Sequence, residues 1–265
     1  MILAIDVGNS NITIGCINDG EILHVYRMST NISKTEHEYA MDISNILSFN
    51  GLSHREIDGS VISCVVPPLT SVIREAVLLL ADVDAIVVGA GIKTGINILI
   101  DDPGQLGGDM VSTAVGALTL NKPPLIIADM GTATKMTVID KNGSFIGGAI
   151  LPGITLSMGA LAAGTSQLPR VPIEAPAKCI SANTIDCMKS GAVFGAASMI
   201  DGMAERFEAE LGQSAQMFAT GGLAGAVYSF CKRKINYDPH LIMRGLMVIY
   251  EKNSEKAVEK NKRNP

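Results

Sequence analysis

The sequence predicts an α/β fold assembled from two copies of one plan, and three observations carry that prediction. Apolar runs of strand length alternate with segments of helical spacing. The signature Asp6-Val7-Gly8-Asn9-Ser10-Asn11 returns as Asp129-Met130-Gly131-Thr132-Ala133-Thr134, each time after a short apolar run. Each copy then leads to an Asx-Gly hairpin signal, Asp19-Gly20 and Asn142-Gly143. Asp129 follows Asp6, Gly131 follows Gly8, and Asn142-Gly143 follows Asp19-Gly20 by the same 123 positions. Turn chemistry alone would account for either copy. The shared register implies duplication.

In the first half, strands are expected at about 2–7, 12–18 and 21–28, the last two joined by Asp19-Gly20. Thr35-Glu36-His37-Glu38 is a capping box, and Tyr39, Ile43, Ile46 and Leu47 then share one helical face. A buried strand near 59–65 ends at Pro67-Pro68, which opens a helix carrying Leu69, Val72, Ile73, Ala76, Val77 and Leu80. A strand at 85–88 precedes a glycine-rich stretch, after which Val111, Ala114, Val115 and Leu118 recur helically. The second half repeats the scheme with strands near 124–129, 133–140 and 144–151 and a small-residue helix after Pro152-Gly153. A long helix runs from Asn183 and Asp186 to about Leu211, and a strand at 217–219 enters Thr220-Gly221-Gly222. A last helix covers about 239–250. Domains are expected at 1–116 and 117–252, with 253–265 as a solvated charged tail, although the last helix is free to pack back on the first half.

Composition narrows the function. At 265 residues, with 47% hydrophobic and 18% charged residues, the chain describes a well-cored globular protein. A net charge of −5 argues against a nucleic-acid partner, which needs a basic stripe. No apolar run reaches spanning length, so no membrane partner is expected, and the N-terminus reads as a buried strand instead of a signal peptide. Five cysteines without a C-x-x-C pair read as reduced thiols in a cytoplasm, and the four histidines show no metal-ligand spacing. Cys187 lacks the basic surroundings of a catalytic thiol, and the Met188, Met199, Met203 series reads as core or subunit contact.

The duplicated signature suits a nucleotide clamp. Gly8 and Gly131 let backbone approach a phosphate, and Asn9, Ser10, Asn11, Thr132 and Thr134 supply neutral donors. A carboxylate beside phosphate requires a cation between them, so Asp6 and Asp129 predict metal ions. The segment from Asp101 to Asp109 is rich in turn residues. Asp109 fits a helix N-cap, with Ser112 three positions on, and equally a carboxylate that accepts a hydroxyl proton beside open backbone at Gly107-Gly108. Thr220-Gly221-Gly222-Leu223-Ala224, between a strand and an expected helix, is either a plain turn or a set of amides for an adenosine or its phosphates.

The order of these motifs resembles the type III pantothenate kinases, of the actin/sugar-kinase/Hsp70 phosphotransferase clan. The resemblance rests on Asp6 to Ser10, Asp102-Pro103 through Gly107-Gly108-Asp109, Asp129 to Thr134, Gly147 to Gly153, Thr165 to Pro169, Asn183-Thr184 with Ser190-Gly191, and Ala219 to Ala224. It implies two ribonuclease-H-like domains with a nucleotide cleft between them, and phosphorylation of pantothenate by ATP at the entry to coenzyme A synthesis. By position it implies that Asp6, Val7, Gly8, Asn9, Ser10, Asn11, Ile12 and Thr13 hold ATP phosphates and, through Asp6, magnesium. Gly131, Thr132, Gly221 and Gly222 would contact ATP, and Asp129 a monovalent cation such as potassium or ammonium. Gly107, Gly108, Asp109, Met110 and Thr184 would line the pantothenate site, Asp109 as proton acceptor, in a homodimer whose partner helps to close the pocket. Two residues depart from the pattern: Met110 stands where many members have Arg, and Lys135 where a second Thr is common. Met110 keeps two alternatives open, a kinase of another small hydroxyl substrate and an ATP-binding regulator without turnover. An actin-like filament former is a third.

Overall fold

The computed structural model describes residues 1–254. The described residues divide into two compact units: residues 1–96, 101–119 and 240–254 form the first, and residues 97–100 and 120–239 the second. The sequence division at 117–252 therefore differs in two respects. Residues 97–100 belong to the second unit, pinned by Leu99 N–H to Phe145 O (2.8 Å) and Phe145 N–H to Asn97 O (2.8 Å). The last helix belongs to the first.

In the first unit, β1 (Ile2–Val7), β2 (Asn11–Asn18) and β3 (Glu21–Ser29) run antiparallel, and β4 (Gly59–Cys64) and β5 (Ile86–Val87) extend the other edge in parallel, giving the order β3-β2-β1-β4-β5. Asp19 and Gly20 turn the β2–β3 hairpin with φ of 48° and 83°, as a two-residue Asx-Gly loop requires. α1 (Glu36–Phe49) starts at the expected box: the Thr35 side chain accepts from Glu38 N–H while Glu38 accepts from Thr35 N–H at 2.8 Å. Its Tyr39, Ile43 and Leu47 join Leu69 and Ile73 of α2 (Pro67–Ala81) and the inward side chains Ile5, Val7, Ile12 and Ile14 in one core.

Within this unit, α6 (Leu241–Asn253) lies against β1 and β4 and meets α3 (Gly108–Leu120). A Cβ on Gly245 would stand 1.7 Å from Ser112 O, and one on Gly116 would stand 2.0 Å from Leu241 O, so the helix backbones touch where only glycine fits. Such contact is what the last helix, amphipathic by sequence, needed to bury its face. Asn253, expected as the start of the tail, is the last residue of this helix. The remainder of the expected tail, 255–265, lies outside the described residues.

The second unit repeats the topology. β6 (Leu125–Met130), β7 (Ala133–Ile139) and β8 (Phe145–Pro152) are antiparallel, and β9 (Gln216–Thr220) and β10 (Ile235–Tyr237) add in parallel, in the order β10-β9-β6-β7-β8. α4 (Ile154–Gly164) and α5 (Thr184–Leu211) cover its core, in which Met188, Ala197 and Ile200 pack on Ile126, Ala128 and Met136. The Met-rich helix is thus core-forming on that face. β10 was not foreseen, being three residues long, and Thr220-Gly221-Gly222 leads not into a helix but into three-residue 3-10 turns at Ala224–Ala226 and Tyr228–Phe230.

Candidate active site

In the first unit the candidate residues collect at the carboxyl ends of the parallel strands, where open α/β sheets bind ligands. Asp6 stands in register with Thr13 on β2 and with Ser63 on β4, so a carboxylate is flanked by hydroxyl-bearing residues on both neighbours. Ser63 is fully buried and its Oγ has no hydrogen-bond partner. The sequence reading did not single it out; the available signal was a polar residue inside the apolar run Val61-Ile62-Ser63-Cys64. The turn after Asp6 is closed by Gly8 N–H to Asn11 O (3.0 Å) and braced by Thr30, whose hydroxyl donates to Gly8 O at 2.6 Å. Asn9, Ser10 and Asn11 are exposed at its tip, whereas Val7 and Ile12 are paired core residues that offer only backbone.

Asp109 occupies the first turn of α3, at 8% exposure, with Oδ1 accepting from Met110 N–H at 2.8 Å. It is inside the helix and not its N-cap. The carboxylate folds over Gly107: a Cβ there would be 2.6 Å from Asp109 Oδ1 and 3.5 Å from Val65. Val65 N–H in turn bonds Val7 O, the residue after Asp6, at 3.0 Å. Gly108 abuts Val88, at the end of β5, where a Cβ would lie 3.2 Å from the Val88 carbonyl oxygen. Short links through Val65 and Val7 thus tie the Asp109 loop to the strand end that carries Asp6. Asp102 has a structural task, capping the turn Pro103–Gln105 by accepting from Gly104 N–H at 3.0 Å.

In the second unit Asp129 stands in register with Lys135 on β7 and Thr220 on β9. Lys135 Nζ lies 3.0 Å from Asp129 Oδ2, with the two side chains 19% and 21% exposed. Gly221, at φ 92°, presents no Cβ where one would approach Asp129 Oδ1 to 2.6 Å, a conformation and a space that both demand glycine. Gly131 N–H closes the turn on Ala133 O at 3.1 Å, and Thr132 is exposed at its tip. Gly153 backs this turn: a Cβ there would be 2.2 Å from Thr132 O. Thr184 is the exposed first residue of α5, after Asn183, whose side chain accepts from Asp186 N–H at 2.9 Å. Gly222 follows Gly221 in the loop whose Leu223 N–H bonds Met130 O at 3.1 Å.

The donor sets differ in what they fit. At Asp6, a carboxylate flanked by hydroxyl residues, one of them buried without a partner, fits a hard cation that takes oxygen ligands. Among the described residues no three His, Cys, Asp or Glu side chains gather to hold a metal. At Asp129 the residues do not fit a resident monovalent cation, because an ammonium already stands on the carboxylate. Burial pushes the thiols of Cys16 and Cys231 up to about 11 and about 12, which removes them as nucleophiles. No helix among the described residues is long and apolar enough to cross a membrane.

Comparison with known proteins agrees with this arrangement. The family model for type III pantothenate kinase matches residues 2–206. The chain is 40% identical over 256 residues to a type III pantothenate kinase of Geobacillus sp. (strain WCH70), covering 97% of this chain and 99% of that one. It is also 40% identical over 253 residues to that of Halalkalibacterium halodurans, covering 96% and 100%. Among solved structures it resembles component A of the (R)-2-hydroxyglutaryl-CoA dehydratase of Acidaminococcus fermentans (TM-score 0.57, 17% identity, 97% and 98% covered). A second is the activator of the 2-hydroxyisocaproyl-CoA dehydratase of Clostridium difficile (TM-score 0.55, 14% identity, 100% and 98% covered). These structural likenesses support the fold, two α/β units of the actin/sugar-kinase/Hsp70 type. The duplicated glycine turns and the glycine-flanked Asp109 loop stand within a chain that a family model matches over most of its length and that relatives match almost end to end: the chain belongs to the type III pantothenate kinase family.

Proposed function

We propose that this protein transfers the γ-phosphoryl group of ATP to the primary hydroxyl of pantothenate, giving 4′-phosphopantothenate and ADP, the first step of coenzyme A biosynthesis. Family membership supports the substrate pair. The single structural observation that carries the reading is in the first unit, where Val65 and Val7 link the Asp109 loop to the strand end of Asp6.

The residues divide the work by chemistry. Asp6 with Thr13 and Ser63 would hold magnesium, which would supply positive charge against the phosphates. Gly8 to Asn11 offer backbone and amide donors to the phosphates. Gly131 and Thr132 meet phosphate from the second turn, and Gly221-Gly222 meets the nucleoside side of ATP. Gly107, Gly108 and Met110 line the pantothenate pocket, with Thr184 contributed by the partner of a homodimer in a cytoplasm. Because the transition state is loose, most of the rate comes from alignment and charge neutralisation. The bond from the γ-phosphorus to the β,γ-bridging oxygen breaks as the pantothenate oxygen bonds to that phosphorus, and the hydroxyl proton passes late to Asp109.

The test is ADP release with magnesium and ATP over pantothenate, simple sugars and acetate. Turnover restricted to pantothenate is expected. Turnover on a sugar or acetate alone, or nucleotide binding with no ADP release on any acceptor, overturns the reading. Met110 is the observation that keeps the regulator reading worth this control, since a thioether cannot clamp a carboxylate as a guanidinium does.

A further inference from the structure

The second phosphate turn carries its own cation. Asp129 and Lys135 are Cα partners across adjacent antiparallel strands, so their side chains leave the same face at the same level. The register is held by the closed turn Gly131 to Ala133. On the other side of the carboxylate, Gly221 leaves room for Oδ1 only because it has no Cβ. The carboxylate is therefore clasped between a glycine and an ammonium 3.0 Å from Oδ2, and both charged side chains are largely withdrawn from solvent. A free monovalent cation would have to enter beside the ammonium, and two like charges at contact distance in partly dry surroundings repel strongly. A lysine ammonium is a compact point charge, and its tether makes its occupancy independent of the salt in solution.

We propose that Lys135 is the built-in counter-charge of Asp129, so that the turn 131–134 takes no monovalent metal cation and the protein works equally well without one. The rate half of this inference rests on the proposed kinase activity; the ion-binding half does not. Lys135 is a positioning residue, acting through Asp129 on the turn. The experiment uses the full chain and the thallous ion, a potassium mimic, followed by thallium NMR. Tm is measured alongside in potassium chloride and in choline chloride at equal ionic strength.

The wild-type protein is expected to bind no thallous ion, to show the same Tm in both salts within about 1 °C, and to release ADP at rates within about twofold. Lys135→Thr, which vacates the site and leaves a hydroxyl, is expected to gain thallous binding and a Tm higher by about 2–4 °C in potassium. Its turnover should fall roughly tenfold in choline and recover in potassium. Thallous binding by the wild type that disappears in Asp129→Asn overturns the proposal, and so does a folded Lys135→Thr that gains no ion. If Lys135→Thr does not fold, the wild type read against Asp129→Asn decides. Absence of pantothenate phosphorylation in either salt would sink the kinase reading while leaving the thallous result to decide this one.

Discussion

The two Asp-x-Gly turns share one plan and differ in their electrostatics. In the first, Asp6 faces Thr13 and Ser63, and four residues, 8–11, span the turn between the paired Val7 and Ile12. In the second, Asp129 faces Lys135 and Thr220, and three residues, 131–133, span the turn between Met130 and Thr134. One carboxylate is set among hydroxyls, which invites a divalent ion. The other is set against an ammonium, which answers its charge in place. A shared sheet order therefore does not make the two sites equivalent; the chemistry is decided by which residues the neighbouring strands put in register.

The largest expected effect belongs to Asp109, which the first unit supplies in addition to its turn. Asp109→Asn should lower kcat by roughly 10²–10⁴ while leaving the Kd for ATP nearly unchanged, read by steady-state kinetics beside nucleotide titration. Undiminished turnover would remove Asp109 from the mechanism. Next, Asp6→Asn should cost roughly 10²–10³ in kcat and Asp129→Asn about tenfold, because only Asp6 is proposed to hold a divalent ion. Equal losses in the two variants would break the contrast between the turns.

Smaller effects concern stability and metal affinity. Gly221→Ala should destabilise by about 1–3 kcal/mol, from its positive φ and from the methyl forced against Asp129. Gly8→Ala, whose Cβ would meet only Asn11 O at 3.1 Å, should cost less than about 1 kcal/mol. Urea denaturation of both variants measures the difference, and a reversed order would show that the first turn is the tighter one. Smallest of all, Ser63→Ala should leave stability within about 0.5 kcal/mol, because its hydroxyl has no protein partner to lose. The same change should raise the magnesium concentration needed for half-maximal rate; an unchanged magnesium dependence would take Ser63 out of the metal's surroundings.

Much of the fold is local chemistry and was legible as such. The Thr35–Glu38 box, the Pro67-Pro68 helix start and the Asp19-Gly20 hairpin each act over a few residues and each appears where the pattern places it. The duplication was visible for the same reason. One thing was left open and two were not legible. The last helix joins the first unit because Gly116 and Gly245 allow α3 and α6 to touch, a match of two surfaces distant in sequence. Ser63 faces Asp6 only through the pairing of β4 with β1. Thr220 runs into 3-10 turns where a helix was expected, because Leu223 and Ala224 bond back to Met130 and Gly221.

What the sequence by itself determined is the set of strands, turns and glycine-flanked carboxylates, and their repetition at a constant 123 positions, since periodicity and turn propensity are short-range properties. Carried through that spacing, Thr13 would correspond to Met136, and the partner of Asp129 would be a core residue. Tertiary structure decided otherwise: the second turn closes one residue sooner, Met136 goes to the core and Lys135 comes to the carboxylate. In a strand, a shift of one residue exchanges the two faces. That small difference in how a hairpin closes is what gave the second site its fixed positive charge.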